Sequence, residues 1–94
     1  ILINNESHET VGGLPTVATS VDMVGVANAC KYPYAVSVDN FEDLDRELIK
    51  AKSRNELSFI EVKSSIGSRQ NLGRPTTTPI ENKINFMKFL EEKT

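Results

Sequence analysis

The sequence predicts an α/β fold, a parallel sheet with flanking helices, and three observations carry that prediction. Short β-branched runs alternate with stretches of helical periodicity, the alternation that builds a parallel sheet covered by helices. The final segment opens with a helix-start signature. The chain begins on an apolar run, Ile1-Leu2-Ile3, of the kind found in strands buried on both faces. A buried strand standing at the first residue, with no methionine before it, is how a fragment begins, so residues 1–94 are expected to be the C-terminal portion of a larger domain.

Ile1, Leu2 and Ile3 form the first expected strand, followed by a Gly- and Thr-containing stretch over 6–19. Met23, Val26, Ala27 and Cys30 then recur at i, i+3, i+4 and i+7, which is helical spacing, and Cys30 among small neighbours suits a buried structural role. Tyr34–Val38, bounded by Pro33 and Asp39, reads as a buried strand. Asp39 and Asn40 offer an N-cap, with Glu42 and Asp43 in the first turn and Lys50, Lys52 and Arg54 near the end, as the helix dipole favours. Phe41, Leu44, Leu48 and Ala51 share one face of that helix. Residues 57–63 form a third strand centred on Phe59, Ile60 and Val62. Thr78-Pro79-Ile80-Glu81 is a capping box with proline at the first helical position. Ile80, Ile84, Phe86, Met87, Phe89 and Leu90 of this last helix are expected to pack into the core. Between them, residues 64–78 lack usable periodicity, and loops of that length are commonly functional.

Ninety-four residues with 38% hydrophobic content support one small core. Eleven basic against thirteen acidic side chains leave a net charge of −2. That is too even for nucleic-acid or anionic-membrane binding by bulk electrostatics. No apolar stretch reaches a membrane span and no signal peptide is visible, so a soluble, cytoplasmic protein is expected. A single cysteine excludes an internal disulfide.

In open parallel sheets ligands gather beyond the carboxyl ends of the strands, where Asn4 and Asn5 fall. A magnesium ion wants hard oxygen ligands in octahedral array, and a side-chain amide oxygen followed by a backbone carbonyl two residues later supplies two of six. Asn5 and Ser7 are those candidates, although asparagines also commonly end strands and start turns. His8, three residues past Asn5, is placed to relay a proton or bind an anionic substrate, or to serve as a hydrogen-bonded structural residue. Gly12-Gly13 allows either a close backbone approach or a plain turn. Arg69 and Arg74 present guanidinium forks suited to an anionic oxygen-bearing group, or are solvated loop charges.

Two motifs go further. Asn4-Asn5-Glu6-Ser7-His8-Glu9-Thr10-Val11-Gly12-Gly13-Leu14-Pro15-Thr16 resembles the segment Asn-Asn-Gly-Ala-His-Asp-Ser-Val-Gly-Gly-Gln-Pro-Thr of the phosphonopyruvate decarboxylase family of thiamine-diphosphate-dependent enzymes. Leu72-Gly73-Arg74-Pro75-Thr76-Thr77-Thr78-Pro79 with Glu81-Asn82-Lys83 resembles that family's C-terminal signature. The departures are Glu6-Ser7 for Gly-Ala and Leu14 for Gln. The resemblance implies that the chain is the C-terminal part of the diphosphate-binding domain. Thiamine diphosphate and Mg²⁺ are the implied cofactors. Asn5 and the Ser7 carbonyl are the implied metal ligands, with Asn4 in support and His8 beside the cofactor. The Gly-Asp-Gly half of that metal site and the pyrimidine-binding domain with its activating carboxylate are not in this sequence.

The activity so implied is decarboxylation of 3-phosphonopyruvate to phosphonoacetaldehyde and CO₂, with His8 catalytic and Arg69 and Arg74 binding substrate. The chain alone is expected to be inactive and to bind cofactor poorly. Its partners are expected to be the remainder of its own enzyme, further copies in a homo-oligomer and a small 2-oxoacid. A sulfopyruvate decarboxylase is the nearest alternative, differing by a sulfonate that carries one negative charge fewer. A non-catalytic α/β binding module fits the alternation but leaves the Thr-rich signature unexplained.

Overall fold

The computed structural model describes all residues from Ile1 to Thr94. Its centre is a three-stranded parallel sheet made of β1 (Leu2–Asn4), β4 (Tyr34–Val38) and β5 (Ser58–Lys63), in the order β1-β5-β4. Between β1 and β4 lie a two-residue antiparallel ribbon, β2 (Ser7–His8) with β3 (Leu14–Pro15), and α1 (Met23–Ala29). Helix α2 (Phe41–Arg54) connects β4 to β5, and α3 (Pro79–Lys93) closes the chain. The expected parallel α/β architecture is therefore observed, with β5 between its two neighbours. In register, Leu2 and Ser37 both flank Glu61.

Local chemistry accounts for the helix ends. Asp22 caps α1 by accepting the Gly25 N–H at 2.9 Å. Asn40 caps α2 by accepting the Asp43 N–H at 2.8 Å, and Asn55 ends it in the left-handed conformation at φ 50° that asparagine tolerates. The Thr78/Glu81 capping box of α3 is formed in both directions. Gly12 and Gly13, at φ 89° and 75°, make the turn that returns β2 to β3. This ribbon lies inside the stretch over 6–19 for which the sequence supplies no periodicity, because two-residue strands are too short to show any.

The core is small: Ala27, Val38 and Ile60 are its buried apolar residues. Both α1 and α2 pack on β4 and β5. Two expectations about burial are overturned, those for Cys30 and for α3. Cys30 follows the last turn of α1 and is exposed. On α2 the most buried side chain is Glu47, while Phe41, in the first turn, is 85% exposed. On α3 the stripe Ile80, Ile84, Phe86, Met87, Phe89 and Leu90 faces outward. Residues 64–78 carry this helix away from the sheet, and no surface of the chain covers its apolar side.

The shape reflects this. The radius of gyration is 17.1 Å, where a compact chain of this length has ~12 Å. The accessible surface is 7819 Å², against roughly 5,400 Å² for a compact protein of this mass. No helix is long and apolar enough to cross a membrane.

Candidate functional site

Asn4 and Asn5 stand at the carboxyl end of β1, and each folds its side chain onto the backbone two residues ahead. Asn4 Oδ1 accepts the Glu6 N–H at 3.0 Å, and Asn5 Oδ1 accepts the Ser7 N–H at 3.1 Å. The first of these turns holds Glu6 at φ 57°, a left-handed conformation that glycine adopts more readily than glutamate. Asn4 is only 8% exposed. Its Nδ2 donates to Glu61 Oε2 at 2.8 Å, and its carbonyl accepts the Ser64 N–H at 3.0 Å. All of its side-chain polar atoms are thus engaged within the chain.

Ser7 is different. The Thr16 N–H donates to the Glu6 carbonyl at 3.1 Å, which makes Ser7 and Pro15 a non-hydrogen-bonded pair of the ribbon. The backbone N–H and C=O of Ser7 therefore both face away from β3, on the side where Asn5 Oδ1 lies. Oδ1 keeps a second lone pair after accepting the Ser7 N–H. The Ser7 hydroxyl is buried without a hydrogen-bond partner, and a side chain placed on Gly13 would come within 3.8 Å of it. On the side facing away from β3 the turn offers an amide oxygen and a backbone carbonyl, hard oxygen donors of the kind that magnesium takes. No group of three or more His, Cys, Asp or Glu side chains is positioned to hold a metal.

His8 is exposed at the end of β2. Glu9, which follows it, accepts Asn5 Nδ2 at 3.3 Å and the Gly67 N–H at 2.8 Å. Through Glu9 the structure brings the beginning of the 64–78 loop beside the Asn5 turn. Arg69 and Arg74 lie further along that loop, both exposed, where the Leu72 N–H closes a turn on the Arg69 carbonyl at 3.2 Å. Neither takes part in the chain's ion pairs. The loop's origin is thus placed beside the Asn5 turn, and the two guanidinium groups are exposed and outside the chain's ion pairs.

Two clefts open at the carboxyl edge of the sheet. One, of about 370 Å³, is lined by Glu6, Asp22, Glu61 and Lys63 with residues 18–21. The other, of about 360 Å³, lies between Phe41, Leu44, Val62 and Ser65 on the α2 side. Groups with displaced pKa values sit elsewhere. Tyr34, at the amino end of β4, donates its hydroxyl to Glu47. That bond raises the phenol's pKa and, with help from Lys50 and Arg46 against the effect of burial, lowers the carboxylate's.

Sequence reasoning missed Glu61 and Glu9. The signal for Glu61 was present: a charged residue between Ile60 and Val62, at the apolar centre of an expected strand. Glu9 left no comparable mark, since its role depends on a residue 58 positions away.

The chain is thus a parallel α/β element with an asparagine turn of oxygen donors at the carboxyl edge of its sheet. Its relatives are phosphonopyruvate decarboxylases, as the two motifs implied. The chain is 30% identical over 90 residues, 96% of its length, to the phosphonopyruvate decarboxylase of Streptomyces viridochromogenes. It is 30% identical over 92 residues, 98% of its length, to that of Streptomyces hygroscopicus. The chain spans 23% of the length of each relative. No protein-family profile matches the chain, and no solved structure matches it.

Proposed function

We propose that this chain forms the asparagine half of the magnesium and diphosphate cradle of a thiamine-diphosphate-dependent decarboxylase, which converts 3-phosphonopyruvate to phosphonoacetaldehyde and CO₂. The observation that carries the reading is the corner at the end of β1, where Asn5 Oδ1 and the backbone of Ser7 share one side. Similarity to two phosphonopyruvate decarboxylases along nearly the whole chain supports it.

In this reading Asn5 Oδ1 and the Ser7 carbonyl are magnesium ligands, and Asn4 holds their turn in place. The buried hydroxyl of Ser7 is a further polar group for the bound phosphates. His8, exposed at the strand end, holds or delivers a proton at its imidazole. Arg69 and Arg74 take the phosphonate through paired N–H donors. Thiamine diphosphate, when bound, supplies the nucleophilic carbon and the electron sink for loss of CO₂. The remaining magnesium ligands and the pyrimidine pocket come from the rest of the enzyme, so the chain alone is inactive.

The test is CO₂ release by the full-length protein, stripped of metal and cofactor and then reconstituted. Turnover of phosphonopyruvate in preference to sulfopyruvate and pyruvate, dependent on both Mg²⁺ and thiamine diphosphate, is the expected result. Full activity in the stripped protein, or none after reconstitution, rejects the proposal.

A further inference from the structure

Glu61 occupies the middle of the central strand with 5% of its surface exposed, and it enters no ion pair. A carboxylate in such a place must be hydrogen-bonded to be tolerated. It takes Asn4 Nδ2 from β1 at 2.8 Å and the Ser37 hydroxyl from β4 at 2.8 Å, so one side chain ties both neighbouring strands together.

The chemistry of that contact has a direction. Both Glu61 oxygens accept, Oε2 from Asn4 Nδ2 and Oε1 from the Ser37 hydroxyl, so Asn4 turns its NH₂ to Glu61 and its carbonyl oxygen the other way. That oxygen is the one that accepts the Glu6 N–H and holds Glu6 in its left-handed turn. The turn in turn sets the Ser7 N–H against Asn5 Oδ1. Reversing the Asn4 amide would set an acceptor against the carboxylate and a donor against the Glu6 N–H, breaking both links.

From this chain of contacts we infer that Glu61 is a positioning residue for the Asn5 and Ser7 ligands, acting through the amide orientation of Asn4. The inference rests on the cofactor reading above. Outer partners that orient a metal ligand are typically worth ~10–100-fold in metal affinity.

The experiment is calorimetric titration of Mg²⁺ into the full-length protein with thiamine diphosphate present. The variants are Glu61→Leu, Asn4→Asp and the exchanged pair Asn4→Asp/Glu61→Gln. Asn4→Asp alone opposes two carboxylates, and Glu61→Leu leaves the Asn4 NH₂ unpaired, so each is expected to raise the magnesium Kd by ~10–100-fold. The exchanged pair rebuilds the bond with the donor on residue 61, leaving an oxygen of residue 4 for the Glu6 N–H, and is expected to recover most of the loss. Because the exchange would restore stability as well, each titration is run well below the variant's Tm, and a folded Asn4→Asp protein with wild-type affinity overturns the inference. An exchanged pair as weak as Asn4→Asp alone overturns the inference, as does a folded Glu61→Leu protein with wild-type affinity. Should Glu61→Leu fail to fold, the comparison of Asn4→Asp with the exchanged pair decides by itself. Absence of Mg²⁺ and thiamine diphosphate binding in the unaltered protein overturns the cofactor reading instead.

Discussion

The Glu9 carboxylate accepts the backbone N–H of Gly67 at 2.8 Å across 58 positions of chain, and the same oxygen receives Asn5 Nδ2 at 3.3 Å. The long loop is therefore tethered to the asparagine turn at its origin, while the residues beyond Gly67 have no comparable anchor. Replacing Glu9 by alanine is expected to release residues 65–72. Amide hydrogen exchange at Gly67 should quicken by about tenfold or less, because an exposed charge-assisted bond lies at the low end of its range. Unchanged exchange would mean that the loop is held by something else.

The substrate prediction concerns the two arginines of that loop. A charge-assisted hydrogen bond to a phosphonate contributes about 1.5–3 kcal/mol, or roughly ten- to a hundredfold in affinity. In the full-length protein with cofactor saturating, Arg69→Ala or Arg74→Ala should impair phosphonopyruvate turnover by that factor and pyruvate turnover much less, since pyruvate lacks the second anion. His8→Ala should slow both substrates. Equal losses on the two substrates in the arginine variants would make the loop a structural element.

The Tyr34–Glu47 bond predicts a stability window. Glu47 is held below the ordinary carboxylate value of 4.5, first by the Tyr34 hydroxyl, so its contribution is present above that value and is lost as pH falls through the lowered one. Tyr34 is raised above 10.0, first by its bond to Glu47, so its contribution is present below that value and is lost as pH rises through the raised one. Thermal melts of the protein and of Tyr34→Phe should differ most between these limits and converge at both extremes. A difference that is independent of pH would rule out the bond as its source.

Exposed apolar surface predicts association. The accessible area exceeds that of a compact protein of this mass by about 2,400 Å², as much as a substantial interface buries. Ile80, Ile84 and Met87 present it at helical spacing on α3, and β1 and β4 leave both sheet edges open. Sedimentation of the 94-residue chain at rising concentration should show self-association, reduced by Ile84→Lys. A strictly monomeric, stable chain at high concentration would contradict this.

Cofactor affinity gives a further check on the isolated chain. With only the Asn5 and Ser7 donors available, it should bind magnesium and thiamine diphosphate far more weakly than the full-length protein in the same titration. Tight stoichiometric binding would show that these residues suffice.

How much of this was legible in advance depended on the range over which each feature is encoded. Asn40 and Thr78 cap helices through bonds to residues three positions away, and β-branched Tyr34–Val38 declares itself a strand within five residues. Such features were readable from the sequence, as were the parallel alternation and the position of Asn4 and Asn5 at a strand's end. The two motifs likewise pointed to the relatives that the comparison returned. Only the tertiary structure decided that β5 lies between β1 and β4, because strand order depends on pairings such as Leu2 with Glu61 that leave no local trace. It also decided that Glu61 accepts a hydrogen bond from Asn4 across 57 positions, and that the apolar stripe of α3 faces outward. Hydrophobic periodicity specifies that a face must be covered, whereas what covers it is determined by which surfaces the folded chain brings within reach.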